Sequence, residues 1–74
     1  MNVELAKFLG SNIREVRKAK AISQEQLALL TSIDRSYIGR IERGEVSITV
    51  EKLYEIAKIL EVMPQNLLPN HLEN

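Results

Sequence analysis

Two short helical patterns follow one another between Ser23 and Gly44, and this run constrains the fold more than any other part of the sequence. Ser23-Gln24-Glu25-Gln26 reads as a capping box, in which the Ser23 oxygen accepts the Gln26 amide while the Gln26 side chain reaches back. The helix it opens is expected over residues 24–31 and carries Leu27, Ala28 and Leu30. A turn through Ser32 and Ile33 follows. Asp34 then caps a second helix, expected over 35–43, and Gly44 is placed to end it in the left-handed conformation. Ile38 and Ile41 are its buried pair, and small Ala28 stands where two steeply crossing helices have to approach closely.

The flanking segments also read as helices. Leu5, Leu9, Ile13 and Val16 recur at helical spacing, giving a helix over 3–20. Thr49 is placed to cap a helix over 50–60, whose Leu53, Ile56, Ala57 and Leu60 form an i, i+3, i+4, i+7 stripe. Pro64 suits the first turn of a short helix over 64–68, which Pro69 stops. No strand pattern or repeat is present. The expected fold is therefore all-α, a five-helix domain over residues 1–69 with a short tail, 70–74. At 74 residues a lone core is marginal, and with no Cys neither a disulfide nor a thiolate metal site can staple it. No apolar run approaches the roughly 20 residues of a membrane span and no signal-peptide pattern opens the chain, so the cytoplasm is the expected compartment.

The outer side of the second short helix carries the chemistry. Opposite Ile38 and Ile41 fall Ser36, Gly39, Arg40 and Arg43, with Arg35 and Tyr37 at the edges. Two short crossed helices with a basic outer face form a helix-turn-helix, a device that sets side chains against base edges in a DNA major groove. Arg35 and Arg40 are the candidates for reading bases, since bidentate contact to guanine is the commonest specific readout, and Ser36 can bond a base or a phosphate. Gln24 with the amides of its helix, Ser23, Tyr37, Arg43 and Ser47 are the candidates for the DNA backbone. Tyr37 has the alternative of packing its ring inward. Gly39 costs about 1 kcal/mol inside a helix, and a bare spot there permits closer approach to DNA.

Zero net charge would argue against a nucleic-acid partner, but its distribution does not. Residues 14–43 hold seven basic groups against four acids, whereas residues 44–74 hold two against five. One face is thus suited to DNA and another is turned away from it. Catalytic chemistry finds little support: the single His, His71, lies in the tail, and no carboxylate cluster or glycine-rich phosphate loop occurs. The chain reads as no enzyme, with no cofactor and no metal.

The run Leu9-Gly10, Ile13-Arg14, Val16-Arg17, Ser23 to Ala28, Arg35-Ser36-Tyr37-Ile38 and Ile41-Glu42-Arg43-Gly44 resembles the five-helix domain of lambdoid phage repressors and Cro-type regulators. Within that superfamily the segment Asp34 to Gly44 is most similar to the controller proteins of restriction–modification systems, small dimeric autoregulators. The resemblance implies that Arg17 and Glu42 form an ion pair locking the first helix to the recognition helix. Ala21 and Ser32 stand where the family usually has glycine; either is forced into the left-handed region at about 1 kcal/mol, or the turn is built differently. Val46 and Ser47 replace the more basic or amide residues that controllers often carry after this helix.

A single recognition helix reads only a few base pairs, so a homodimer on a two-fold symmetric double-stranded DNA site is expected. Val62, Met63, Leu67, Leu68 and Leu72 crowd the C-terminal residues and are the expected dimer interface. Glu51 and Glu55 read as solvated charge, with contact to RNA polymerase as their other possible role. No metal cluster or ligand domain is visible in the sequence, so the expected input is the protein's own concentration. A phage-type repressor, or an antitoxin-like module that binds a protein, would use the same fold.

Overall fold

A computed structural model describes residues 1–69. Two residues singled out above, His71 and Leu72, lie outside the described residues. Four α-helices run in the order α1 (Val3–Ala19), α2 (Gln24–Thr31), α3 (Arg35–Glu42) and α4 (Val50–Leu60), followed by one 3-10 turn, Pro64–Leu67. The expected fifth helix is therefore only that turn. Pro64 starts it, and Pro69 holds Leu68 in an extended conformation, leaving too few residues for a longer helix.

Local capping accounts for the boundaries. Asn2 accepts from the Leu5 amide at 3.0 Å, the Ser23 capping box is complete, and Asp34 and Thr49 cap α3 and α4. Each α-helix then ends on a left-handed residue: Ala21 at φ 58°, Ser32 at 59°, Gly44 at 74° and Glu61 at 60°. In each case the next residue's amide bonds back into the last turn, from Ile22 to Arg17, Ile33 to Ala28, Glu45 to Arg40 and Val62 to Ala57. These are Schellman closures, which satisfy carbonyls that the helix end leaves unpaired. Ala21 and Ser32 do adopt the conformation that glycine would take more cheaply.

Ile13, Leu27, Ile38, Ile56, Leu60 and Leu67 are the largest fully buried side chains. Leu30 is 59% exposed and Leu29 81%; the third buried position of α2 is Thr31, whose hydroxyl donates to the Leu27 carbonyl at 2.7 Å and needs no other partner. One expectation changes here, the assignment of Leu67 to a dimer interface. Leu67 is 0% exposed and belongs to the core of its own domain, so it has no surface left for a dimer interface. Asn12 reinforces this placement by donating to the Leu67 carbonyl at 2.9 Å.

The position of α3 depends on Gly10. A β-carbon there would meet the Ile41 carbonyl oxygen and stand 2.8 Å from that of Glu42. The backbone of α1 thus lies directly against the end of α3, an approach that only glycine permits. Among the described residues no helix is long and apolar enough to cross a membrane.

Candidate nucleic-acid interface

With Ile38 and Ile41 in the core, α3 presents Arg35, Ser36, Arg40 and Arg43 outward, all exposed. Arg35 stands in the first turn, and no salt bridge engages it among the described residues. Beside it Asp34 accepts both the amide and the hydroxyl of Ser36, so the Ser36 oxygen keeps its lone pairs for a donor from outside. These two bonds, the hydroxyl foremost, hold the Asp34 carboxyl below its ordinary value and keep the cap ionised. Ser36, Tyr37, Arg40 and Lys52 line one shallow depression where α3 meets the start of α4. The Tyr37 ring is half-buried against the core, and the Lys52 ammonium lies 5.7 Å from its centroid, within cation–π range.

A second group of side chains meets over Gly39. A β-carbon added there would stand 3.1 Å from Arg43 Nη1 and 3.8 Å from Gln24 Oε1. The missing side chain therefore leaves a floor across which the Arg43 guanidinium lies, next to the Gln24 amide. Gln24 is itself fixed from behind, since its Nε2 donates to Glu42 Oε1 at 2.9 Å. Glu42 also receives Arg17, Nε to Oε2 at 2.6 Å and Nη2 to Oε1 at 3.0 Å. Arg17 Nη1 donates to the Ile22 carbonyl at 2.8 Å. The pair is buried, with side chains 9% and 2% exposed. Burying two charges costs desolvation, which bidentate geometry and the added bonds offset, so the pair serves orientation more than net stability. It ties α1, the start of α2 and the end of α3 into one unit, and with them Gln24.

This geometry, two short helices crossed through a left-handed turn with the second one turned outward, is that of a helix-turn-helix. Residues 13–65 match the helix-turn-helix family model HTH_3. The chain belongs to this family. Among its curated relatives, the control protein C.SmaI of Serratia marcescens is 36% identical over 66 residues, 89% of this chain and 79% of that protein. The control protein C.BamHI of Bacillus amyloliquefaciens is 37% identical over 62 residues, 82% of this chain and 76% of that one. Among solved structures, the restriction–modification controller protein C.AhdI from Aeromonas hydrophila aligns with a TM-score of 0.82 at 42% identity, covering 88% of this chain and 97% of that chain. This is a helix-turn-helix transcriptional regulator homologous to restriction–modification controller proteins.

Within this helix-turn-helix protein the structure separates the DNA candidates. Arg35, Ser36, Arg40, Arg43, Gln24 and Tyr37 lie on or beside α3. Ser23 is exposed at the head of α2 with its oxygen engaged by the Gln26 amide at 3.0 Å. Ser47 lies apart, lining a cleft with Asn2, Leu5, Val50 and Leu68. Two residues that the sequence did not single out join the face. Lys52 arrives from α4 because the Thr49 cap fixes where that helix begins. Glu45 arrives through the Schellman closure of α3 and pairs with Arg43, Nε to Oε2 at 2.8 Å. Of the other residues assigned to a dimer interface, Val62 and Leu68 are half-buried against their own core and Met63 is exposed.

Proposed function

We propose that the protein is a sequence-specific regulator that binds double-stranded DNA as a homodimer on a two-fold symmetric site and controls its own promoter within a restriction–modification system. The observation that carries this reading is the outward face of α3, where Arg35, Ser36, Arg40 and Arg43 stand on one helix held by the Arg17–Glu42 pair. Arg35, Arg40 and Ser36 read bases in the major groove; Gln24, Arg43, Tyr37 and Ser23 grip phosphates, and Ser47 is the outlying backbone candidate. Two subunits double a readout that one helix leaves too short to single out a genomic site. Exposed Met63, with Val50 and Tyr54 one turn apart on α4, supplies apolar surface for that pairing. The similarity to control proteins supports the restriction–modification assignment and the autoregulation. If the protein activates transcription, the exposed Glu51 and Glu55 are the charges available to RNA polymerase.

Selection of bound duplexes from a random pool tests the reading. A recovered site with two-fold symmetry, also present upstream of the protein's own gene, is expected; a pool that stays random refutes it. A reporter fused to that upstream region should respond steeply as the protein is titrated from a separate promoter, because dimerisation and site filling both follow mass action. A flat response rules out autoregulation. A second reading, a module whose main partner is a protein, draws on the exposed Leu29 and Leu30 of α2. It predicts that the selection recovers nothing while a small toxin is encoded next to the gene.

A further inference from the structure

Besides the Asp34 cap, the basic face holds an acid just after α3, and the fold keeps it there. Three of the four Schellman closures place an apolar residue just after the left-handed position, where it packs on the core: Ile22, Ile33 and Val62. Such a contact commonly accompanies the motif. The fourth places Glu45. Its amide bonds to the Arg40 carbonyl at 2.9 Å, so the backbone at this position is set by the end of α3. Its carboxylate then turns onto the proposed DNA face, 2.8 Å from Arg43 Nε and 3.9 Å from Arg40 Nε, with Arg43 Nη2 donating at 3.4 Å. The hydrogen bonds from Arg43 hold the Glu45 carboxyl below the usual carboxylate range, so it remains charged near neutrality. Arg43 is thus laid across the bare Gly39 with its charge already answered.

We infer that Glu45 is a specificity-determining residue: an internal anion that holds the Arg43 guanidinium, with that of Arg40 close by, and so competes with DNA phosphate for them wherever no matched base takes Arg40. The inference rests on α3 being the DNA-reading helix. DNA of arbitrary sequence offers that helix no matched set of base edges, and its affinity comes almost entirely from charge neutralisation and counterion release. Each such encounter has to displace Glu45 or leave a carboxylate beside a phosphate. A matched site adds base contacts through Arg35 and Ser36 that do not involve Glu45, and these offset the displacement. The residue therefore lowers binding to the competing background more than binding to the proper site, which raises the ratio between them.

The test compares the wild type with Glu45→Gln, which keeps the backbone and side-chain size but removes the charge. Both are titrated against the duplex recovered by selection and against a scrambled duplex, over a series of salt concentrations, with circular dichroism confirming equal helicity. Glu45→Gln is expected to bind the scrambled duplex about fivefold or more tightly, with a smaller gain on the selected one. Its slope of log affinity against log salt on the scrambled duplex should steepen by about one to two, roughly 0.9 for each phosphate newly neutralised. In an Arg43→Ala background the gain should shrink by more than half. Unchanged binding to both duplexes overturns the inference. So does weaker binding to the selected duplex alone, which would make Glu45 a base reader, and so does a gain that survives intact in the Arg43→Ala background. Failure of the wild type to prefer the selected duplex over the scrambled one is a different result: it removes the DNA reading itself and the inference with it.

Discussion

Gly10 and Gly39 are both helical glycines, and replacing each by alanine should move stability in opposite directions. Inside a helix either substitution gains about 1 kcal/mol of intrinsic propensity. At Gly10 the new β-carbon meets backbone: the Ile41 carbonyl oxygen, the Glu42 oxygen at 2.8 Å and the Glu42 carbon at 2.9 Å. Restoring ordinary contact of 3.4 Å requires α1 and α3 to separate by at least 0.6 Å, in a seam that also holds the 2.6 Å Arg17–Glu42 bond. Overpacking of this kind costs about 1–3 kcal/mol, and a helix backbone cannot swing aside as a side chain does, so the upper end applies. The net loss is about 2 kcal/mol, against a total of about 4–11 kcal/mol for a domain of this length. At Gly39 the nearest atom is the tip of Arg43, which can rotate away at little cost. Gly39→Ala should therefore leave stability equal or raised by up to about 1 kcal/mol. Urea unfolding followed by circular dichroism, at one fixed protein concentration, reads both variants. For Gly10→Ala the midpoint should fall by about 1–2 M, and it should rise or hold for Gly39→Ala. A Gly10→Ala midpoint at or above that of the wild type refutes the backbone-contact argument. Equal losses in the two variants refute the distinction between backbone and side-chain obstruction.

Further outcomes follow from the same contacts. Arg35→Ala should cost about 1–3 kcal/mol of binding per half-site and relax preference at one base position; unchanged affinity and preference in a repeated selection would mean that α3 does not read DNA. Glu42→Ala leaves Arg17 buried without its partner and should lower stability by about 3–5 kcal/mol, and a smaller loss in the double variant Arg17→Met, Glu42→Leu would confirm that the cost is the orphaned charge. The Asp34 carboxyl has a native pKa below its unfolded 3.8, so its cap contribution is complete above that value and disappears as pH falls through the native one. The difference in melting temperature between the wild type and Asp34→Ala should therefore be present at neutral pH and vanish in strong acid. Met63→Glu should shift sedimentation toward the monomer if Met63 lies in the dimer interface, whereas the half-buried Val62 makes a poorer probe because its substitution also disturbs the core.

Most of the helical frame was legible because its signals are local. A Ser or Thr oxygen needs an amide three residues on, and an apolar stripe needs neighbours one turn away, so the capping box at Ser23, the Thr49 cap and the Leu53 to Leu60 stripe can be read from a short window. The last segment misled because Pro64 marks a helical start without saying how many turns follow. Leu67 misled in a similar way: apolar residues near a terminus fit a core or an interface equally well, and the choice depends on whether Asn12 of α1 is there to receive the turn. Which of Leu29, Leu30 and Thr31 faces inward on so short a helix depends on how it meets its neighbours, and Thr31 fits there with its hydroxyl satisfied within the helix.

The recognition helix shows why an outward face is easier to read than what its side chains are doing. Periodicity puts Arg40 and Arg43 outside α3 because Ile38 and Ile41 must be inside. It cannot show that Gln24 is tethered to Glu42, because that bond joins residues 18 apart in the chain and depends on the crossing angle of two helices. Nor can it show that Gly10 and Gly39 differ, since a glycine's role is set by whatever backbone or side chain comes to rest against it. Glu45 lies between these cases. That a residue after Gly44 closes α3 follows from the left-handed cap, a local rule. That this residue is the one charged member among four such closures, and that its carboxylate returns to the arginines at the end of α3, requires the closures side by side. The basic face is consequently less basic than its arginine count: the charge offered to a passing phosphate is that of Arg35 and Lys52 and of whatever Glu45 releases.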